Sequence, residues 1–225
     1  MRGTLIAIEG TDGSGKGTQI ALLAQRLRDE GRQVATHAFP QYGKKSAGMV
    51  EEYLNGAYGS ADEIDPYAAS LFFSLDRFDA SGRIRGELDS GAIVLLDRYL
   101  DSNVGHQGGK IRNNDERQRY VDWLYDLEFR ILKNPHPDLT IVIHVPPAIG
   151  QDLIKKKAQR AYIEGGKTHD MHEADLSHLE HAEEAFLWLV KTSPKTHVLI
   201  ESYTDHLLTP EEVHAKVWAA LSNIL

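Results

Sequence analysis

The chain contains no cysteine in its 225 residues. Disulfides and thiolate-held metal centres are therefore excluded. No apolar run comes near the roughly 20 residues that a membrane helix requires. The first residues run straight into a strand-like segment without the layout of a signal peptide. These absences set the expectation of a cytoplasmic protein with no membrane association. Internal repeats and low-complexity linkers are missing too, so residues 1–225 are expected to form a single domain. Basic residues are outnumbered: 25 Lys and Arg against 33 Asp and Glu give a formal net charge of -8. An acidic surface argues against non-specific nucleic-acid binding, yet it leaves room for a local basic pocket that takes a phosphorylated ligand.

What the chain does have is alternation. Apolar runs at 4–9, 34–39, 92–96, 139–145 and 197–200 read as five strands. Between them lie helical patterns. The first follows residue 17, with Ile20, Leu23 and Leu27 on one face and Gly31 as its C-cap. Others cover 64–89 and 116–132, and a last one follows Thr209-Pro210, where Thr suits the N-cap and Pro the first helical position. Near-continuous apolar strands separated by helices imply an α/β, three-layer fold: a five-stranded parallel sheet with helices on both faces. Ligands of such sheets bind at the carboxyl ends of the strands. Gly10, Phe39-Pro40 and Asp97-Arg98 all fall there.

The segment Gly10-Thr11-Asp12-Gly13-Ser14-Gly15-Lys16-Gly17-Thr18 joins the first strand to the first helix. Glycines allow close approach of backbone N–H groups to an anion, and a helix N-terminus lies behind them. Gly10, Gly13, Ser14, Gly15, Lys16, Gly17 and Thr18 are the candidate cradle for a nucleoside triphosphate, with Lys16 reaching its β- and γ-phosphates. The strict P-loop pattern places Ser or Thr directly after the lysine. Here Gly17 stands in that place and the hydroxyl comes one later, at Thr18.

The G-K-G-T ending resembles nucleoside-monophosphate kinases, and three further stretches narrow the resemblance to the thymidylate kinases. Phe39-Pro40-Gln41-Tyr42 resembles the F-P-x-x segment of that family. The stretch L-F-F-S-L-D-R-F, holding Phe73 and Arg77, is similar to its L-F-x-x-D-R helix. Asp97-Arg98-Tyr99 with Ser102-Asn103 is similar to its D-R-Y/H turn. The resemblance runs from Leu5 to about residue 189. It implies a P-loop kinase using ATP and Mg2+ to phosphorylate dTMP, with ATP and dTMP as partners, and a homodimer. By the same resemblance, Asp12 accepts the sugar 3'-hydroxyl, lies near magnesium, or both, and Tyr42 approaches the acceptor phosphate. The physical chemistry is compatible: arginine forks such as Arg77 and Arg98 grip a phosphate bidentately. Phe73 offers a stacking face, and Asn103 a donor and an acceptor for a pyrimidine edge. Plain packing of Phe73 in the core, and pairing of Arg77 with Asp76 or Asp79, stand as alternatives.

A basic cluster, Lys155-Lys156-Lys157 with Arg160, precedes Gly165-Gly166 and the stretch D-M-H-E-A-D-L. This resembles the family's lid and places a lid segment at about 151–170; a solvated helix face is the other reading. Some relatives carry an arginine inside the P-loop, where this chain has Gly13, so Arg160 is the expected source of catalytic charge beside Lys16, Asp12 and Arg98. His106 stands where many relatives have a tyrosine near the sugar. His172, His178 and His181 lie on or near one polar helix without metal-ligand spacing. A kinase for another monophosphate or for a nucleoside, with Asp97 as base, is the nearest rival. A nucleotide-binding switch is a rival of a different class.

Overall fold

The structure is a computed structural model, and it describes residues 2–60, 63–155, 176–222 and 224–225. Five strands form one sheet: β1 (Leu5–Glu9), β2 (Val34–Ala38), β3 (Ile93–Asp97), β4 (Leu139–His144) and β5 (His197–Glu201). Their order is β2-β3-β1-β4-β5, and every pairing is parallel. The expected five-stranded α/β fold is present, with strand ends within a residue of those read from the apolar runs.

Alternate strand residues feed two cores. Leu5 and Ala7 of β1 with Val94 and Leu96 of β3 face α3 (Pro66–Asp89), α5 (Asn114–Tyr125) and α7 (Leu176–Thr192). Ile6, Ile8, Ile93 and Leu95 face α1 (Lys16–Asp29) and α8 (Pro210–Leu221) on the opposite side. Strands buried on both faces must be apolar throughout, which is why periodicity alone found them.

The helix starts are set by caps. Asp65 accepts from the N–H groups of Tyr67 and Ala68 at 2.8 and 3.4 Å, with Pro66 at the first helical position of α3. Thr209 and Glu212 make a reciprocal capping box on α8. At α1 the rule is broken: its N-cap is Gly15 at φ +91°, with no side-chain cap. Its orphan N–H groups are thus left for a ligand. Three short helices escaped the periodicity reading, α2 (Gly48–Leu54), α4 (Asp101–His106) and α6 (Pro147–Lys155). The expected helix over 116–132 is α5 followed by a π-helical turn at Asp126–Ile131.

At the last residue of β4, one cluster ties the sheet to α7. His144 lies between Glu201 of β5, 2.5 Å from its Nδ1, and Glu183 of α7, 2.6 Å from its Nε2. The bond to Glu183 is the largest influence, and with Glu201 it raises His144 to about 9, against the opposing effect of burial. A histidine raised in the folded state contributes stability below its unfolded value of about 6.5, and that contribution is lost as pH rises through the folded value. The wild type should therefore lose stability relative to His144→Gln between pH 6.5 and about 9. Urea unfolding of both proteins across this range checks it; a difference that stays constant with pH would refute the assignment.

Candidate active site

The chain crosses over at β1: α1 leads to β2 beyond β3 on one side, and β4 lies on the other. The crevice at the carboxyl ends of β1, β3 and β4 is therefore the place where ligands are expected in this topology. The loop from Gly10 to Gly15 lines it. Gly10 has φ +138°, and a Cβ there would lie 2.3 Å from the carbonyl oxygen of Ile143. Gly13, at φ +83°, is pressed against α6, where an added Cβ would meet the Gly150 carbonyl oxygen at 2.2 Å. No side chain fits at residue 13 without displacing α6, so the loop cannot carry the arginine found there in some relatives.

Lys16 is buried, and its ammonium donates to the carbonyls of Gly10 and Thr11 at 3.1 and 2.9 Å. Burial and the neighbouring Arg98 lower it to about 8, opposed by Asp12, Asp97 and Glu9. Ser14 is buried in the same loop, and its Oγ has no hydrogen-bond partner among the described residues. Thr18, by contrast, is exposed on α1. Asp97 turns toward α1, with Oδ2 3.4 Å from where a Gly17 Cβ would stand. That puts it beside the start of α1, on the cradle side of the crevice.

Arg98 follows directly, in the left-handed region at φ +64°, which costs a non-glycine residue about 1–2 kcal/mol. Two contacts hold it there. Its own N–H donates to the Ile8 carbonyl at 3.0 Å. The turn beyond it is gripped by Glu9, which is fully buried and accepts from Tyr99 N (2.7 Å), Ser102 N (3.0 Å) and Ser102 Oγ (2.6 Å). The turn aims the guanidinium at the cradle: Nη2 donates to Asp12 Oδ1 at 2.7 Å, while Nη1 donates to Gly10 O and Ser102 Oγ. Asp12, Glu9 and Asp97 together raise Arg98 further above its already high value against the effect of burial, so it is a fixed cation.

Arg77 has a different place from the one expected. It is 2% exposed, with Nη2 2.6 Å from the buried Glu128 carboxylate, Nη1 on the Tyr99 carbonyl and Nη2 also on Ser74. Its partner is neither Asp76 nor Asp79 but a residue of the π-helical turn. An ion pair with both members out of water costs about 3–5 kcal/mol to break, so the Arg77 guanidinium is committed to Glu128, Tyr99 and Ser74. Asp76 instead accepts from Gln41 N and Ser46 Oγ, fixing the loop after β2. Phe39 is likewise core: it is buried and packs on Tyr99 at 5.7 Å. Its ring helps to position the loop after β2.

Other expected residues lie on or beside α2, α3 and α4. Phe73 is half-buried, edge-on to Tyr53 at 6.0 Å, and Tyr42 packs on the same small cluster of α2 and α3. Asn103 is buried on α4, with Nδ2 3.5 Å from the Ser70 carbonyl. His106 closes the side near Arg98, held well below the ordinary histidine value by burial, Arg98 and His178. His178, expected on a polar surface, is 6% exposed and stacks on His106. Arg160 and most of the 151–170 segment lie outside the described residues. Glu128 escaped the sequence reading; Glu9 left a trace there as a charge ending an apolar strand beside glycine, Ser102 only as part of the turn after Arg98, and His178 only as part of a polar helix.

A phosphate cradle facing a strand-end arginine, on an all-parallel sheet of this order, defines a P-loop phosphotransferase of the nucleotide-kinase type. The family model described as thymidylate kinase matches residues 8–205. A thymidylate kinase of Mycobacterium tuberculosis is 35% identical over 172 residues, 76% of this chain and 78% of that protein. One from Thermomicrobium roseum is 30% identical over 221 residues, 98% and 95% of the two chains. The solved thymidylate kinase of Candida albicans superposes with a TM-score of 0.72 at 23% identity, covering 99% of this chain and 92% of that one, a likeness of fold. The chain belongs to the thymidylate kinase family.

Glu9→Ala should leave one buried donor (Tyr99 N) and two part-buried donors (Ser102 N and Oγ) without their acceptor and lower stability by about 2–4 kcal/mol, since a fully buried group so orphaned costs about 1–3 kcal/mol and a part-buried one less. Glu9→Gln, which retains an acceptor oxygen, should keep most of it. Chemical denaturation of both variants is the check; equal stability of Glu9→Ala and wild type would remove Glu9 as the anchor.

Proposed function

We propose that the protein transfers the γ-phosphoryl group of ATP to dTMP, giving ADP and dTDP. The observation that carries this reading is Arg98, a fixed cation beside the cradle whose Nη2 is held by a carboxylate that a ligand phosphate can replace. An oxygen of the dTMP phosphate attacks the γ-phosphorus. The bond from γ-phosphorus to the β–γ bridging oxygen breaks, and ADP keeps that oxygen. No general base is needed, because the attacking oxygen is already ionised at neutral pH. Lys16 and the loop N–H groups hold the donor phosphates, and Asp12 orients the acceptor sugar. Asn103 and Phe73 bind the base.

Magnesium belongs to this reading as the companion of ATP. Asp12 and Asp97 both act electrostatically on Lys16 at the mouth of the cradle. Among the described residues no cluster of three or more His, Asp or Glu forms a complete metal cage. That donor set suits Mg2+, which takes one or two carboxylates and completes its shell with phosphates and water. When bound, the ion neutralises charge on the β- and γ-oxygens. The lid segment at about 151–170, with Arg160, supplies the remaining positive charge, since Gly13 has no room for a side chain.

The decisive assay follows ADP release from Mg-ATP with dTMP, dUMP, UMP, CMP, AMP and thymidine. Turnover should be strongest with dTMP, and Arg98→Ala should lower it by about a hundredfold or more, as for loss of a charge-stabilising group in an active site. Preference for thymidine, or full activity of Arg98→Ala, would overturn the reading.

The same proposal includes a homodimer. On α3 the side chains of Tyr67, Leu71, Leu75 and Phe78 are 36–51% exposed at spacings that share one helical face. An apolar stripe of this length is the mark of a covered surface. Sedimentation should find a dimer for the wild type and a monomer for Leu75→Glu/Phe78→Glu; a wild-type monomer at micromolar concentration would remove this element.

A further inference from the structure

On the side of Arg98 away from Asp12, two imidazoles continue the chain of contacts. Arg98 Nη1 is 3.3 Å from His106 Nε2, and His106 Nδ1 is 3.3 Å from His178 Nε2. The two rings stack with centroids 5.5 Å apart and 15° from parallel. Phe186 meets His106 edge-on at 6.1 Å and fixes the ring from a third side. His106 belongs to α4, and His178 to the first turn of α7.

The proton positions follow from donor chemistry. A guanidinium has only N–H donors, so His106 Nε2 must present its lone pair to Arg98. The His106 proton then sits on Nδ1 and is donated to His178 Nε2. That nitrogen accepts, so His178 carries its proton on Nδ1. The donor-only character of Arg98 thus selects one tautomer at each ring, and the second ring sustains the choice made at the first. This is the logic by which a second-line partner sets which imidazole nitrogen faces the site.

We propose that His178 is a positioning residue for the acceptor clamp: through His106 it holds Arg98 Nη1 in place, so that an incoming phosphate has only to displace Asp12 from Nη2. The inference rests on the reading of Arg98 as that clamp. Without an acceptor at residue 178, the Nδ1–H of His106 loses its bond to that residue. The ring then populates the tautomer that turns an N–H toward Arg98, so that Nη1 faces a donor there and keeps only Gly10 O and Ser102 Oγ as acceptors. His178 touches neither substrate in this scheme, and the family reading gives it no role. Its effect should appear in acceptor binding far more than in handling of ATP.

The test compares His178→Phe, which keeps an aromatic ring without an acceptor, with His178→Gln, whose carbonyl can accept from His106. His178→Phe should raise the KM for dTMP about tenfold, the scale of one hydrogen bond in a charge-assisted chain, with the KM for ATP unchanged. His178→Gln should restore most of the difference. Equal KM values for dTMP in His178→Phe and wild type, or parallel shifts for both substrates, would overturn the proposal. Nitrogen NMR of histidine-labelled wild-type enzyme reads the tautomers without any substitution. Protonated Nδ1 in both rings is expected, and a protonated Nε2 in His106 would refute the relay even if the variants do not fold. Arg98→Ala serves as the control that separates the two readings. If it retains dTMP turnover, the clamp itself fails; if it loses turnover while His178→Phe is normal, only the relay fails.

Discussion

Glu9 stands at the last position of β1 with its carboxylate shut off from water. A buried carboxylate is costly unless its oxygens are hydrogen-bonded, and here the two backbone N–H groups and the hydroxyl that satisfy it come from residues 99 and 102. Burial and Asp101 push Glu9 upward, while Ser102, Arg98 and Tyr99 pull it down. The same bonds fold the chain after β3 into a tight turn and hold Arg98 in a backbone region it would otherwise leave. The cradle after β1 and the arginine after β3 are thereby locked to one another through adjacent strands. Geometry at the site therefore rests on the register of β1 with β3.

A second buried pair extends this frame. Arg77 and Glu128 join the middle of α3 to the π-helical turn behind α5, and Arg77 also reaches the Tyr99 carbonyl in the turn that Glu9 holds. Glu128 further accepts from Asn134 at 2.5 Å. Asp76, one residue earlier on α3, secures the loop after β2. Two neighbouring residues of opposite charge thus serve different parts of the crevice wall: the carboxylate fixes the loop on one side and the guanidinium fixes the turn on the other.

How much of this was legible in the sequence depends on the range of the interaction. Strands buried on both faces announce themselves as apolar runs, and α3 and α8 carry their caps in plain view at Asp65-Pro66 and Thr209-Pro210. The glycine spacing of the cradle is local for the same reason. Pairings between distant residues leave no such mark. Arg77 finds Glu128 51 residues downstream, and His106 finds His178 72 residues downstream. Nothing near Arg77 distinguishes a buried structural arginine from a phosphate ligand, and two acidic neighbours on the same helix pointed to the wrong partners. Phe39 misled differently: its place beside a strand end suits a binding residue, but the side chain turns inward onto Tyr99. The short helices α2 and α4 hold too few turns to show a period.

Gly13 and Gly150 meet backbone to backbone. This contact makes the location of charge in the crevice and the position of α6 a single choice. An arginine introduced into the loop would have to push α6 outward, and with it the start of the segment that carries Arg160. A chain of this kind cannot acquire the second arrangement by one substitution, because the intermediate has neither the room for the new side chain nor the old helix in place. A side chain at residue 13 and the present position of α6 are alternatives separated by a packing barrier, and the two glycines commit this protein to the second.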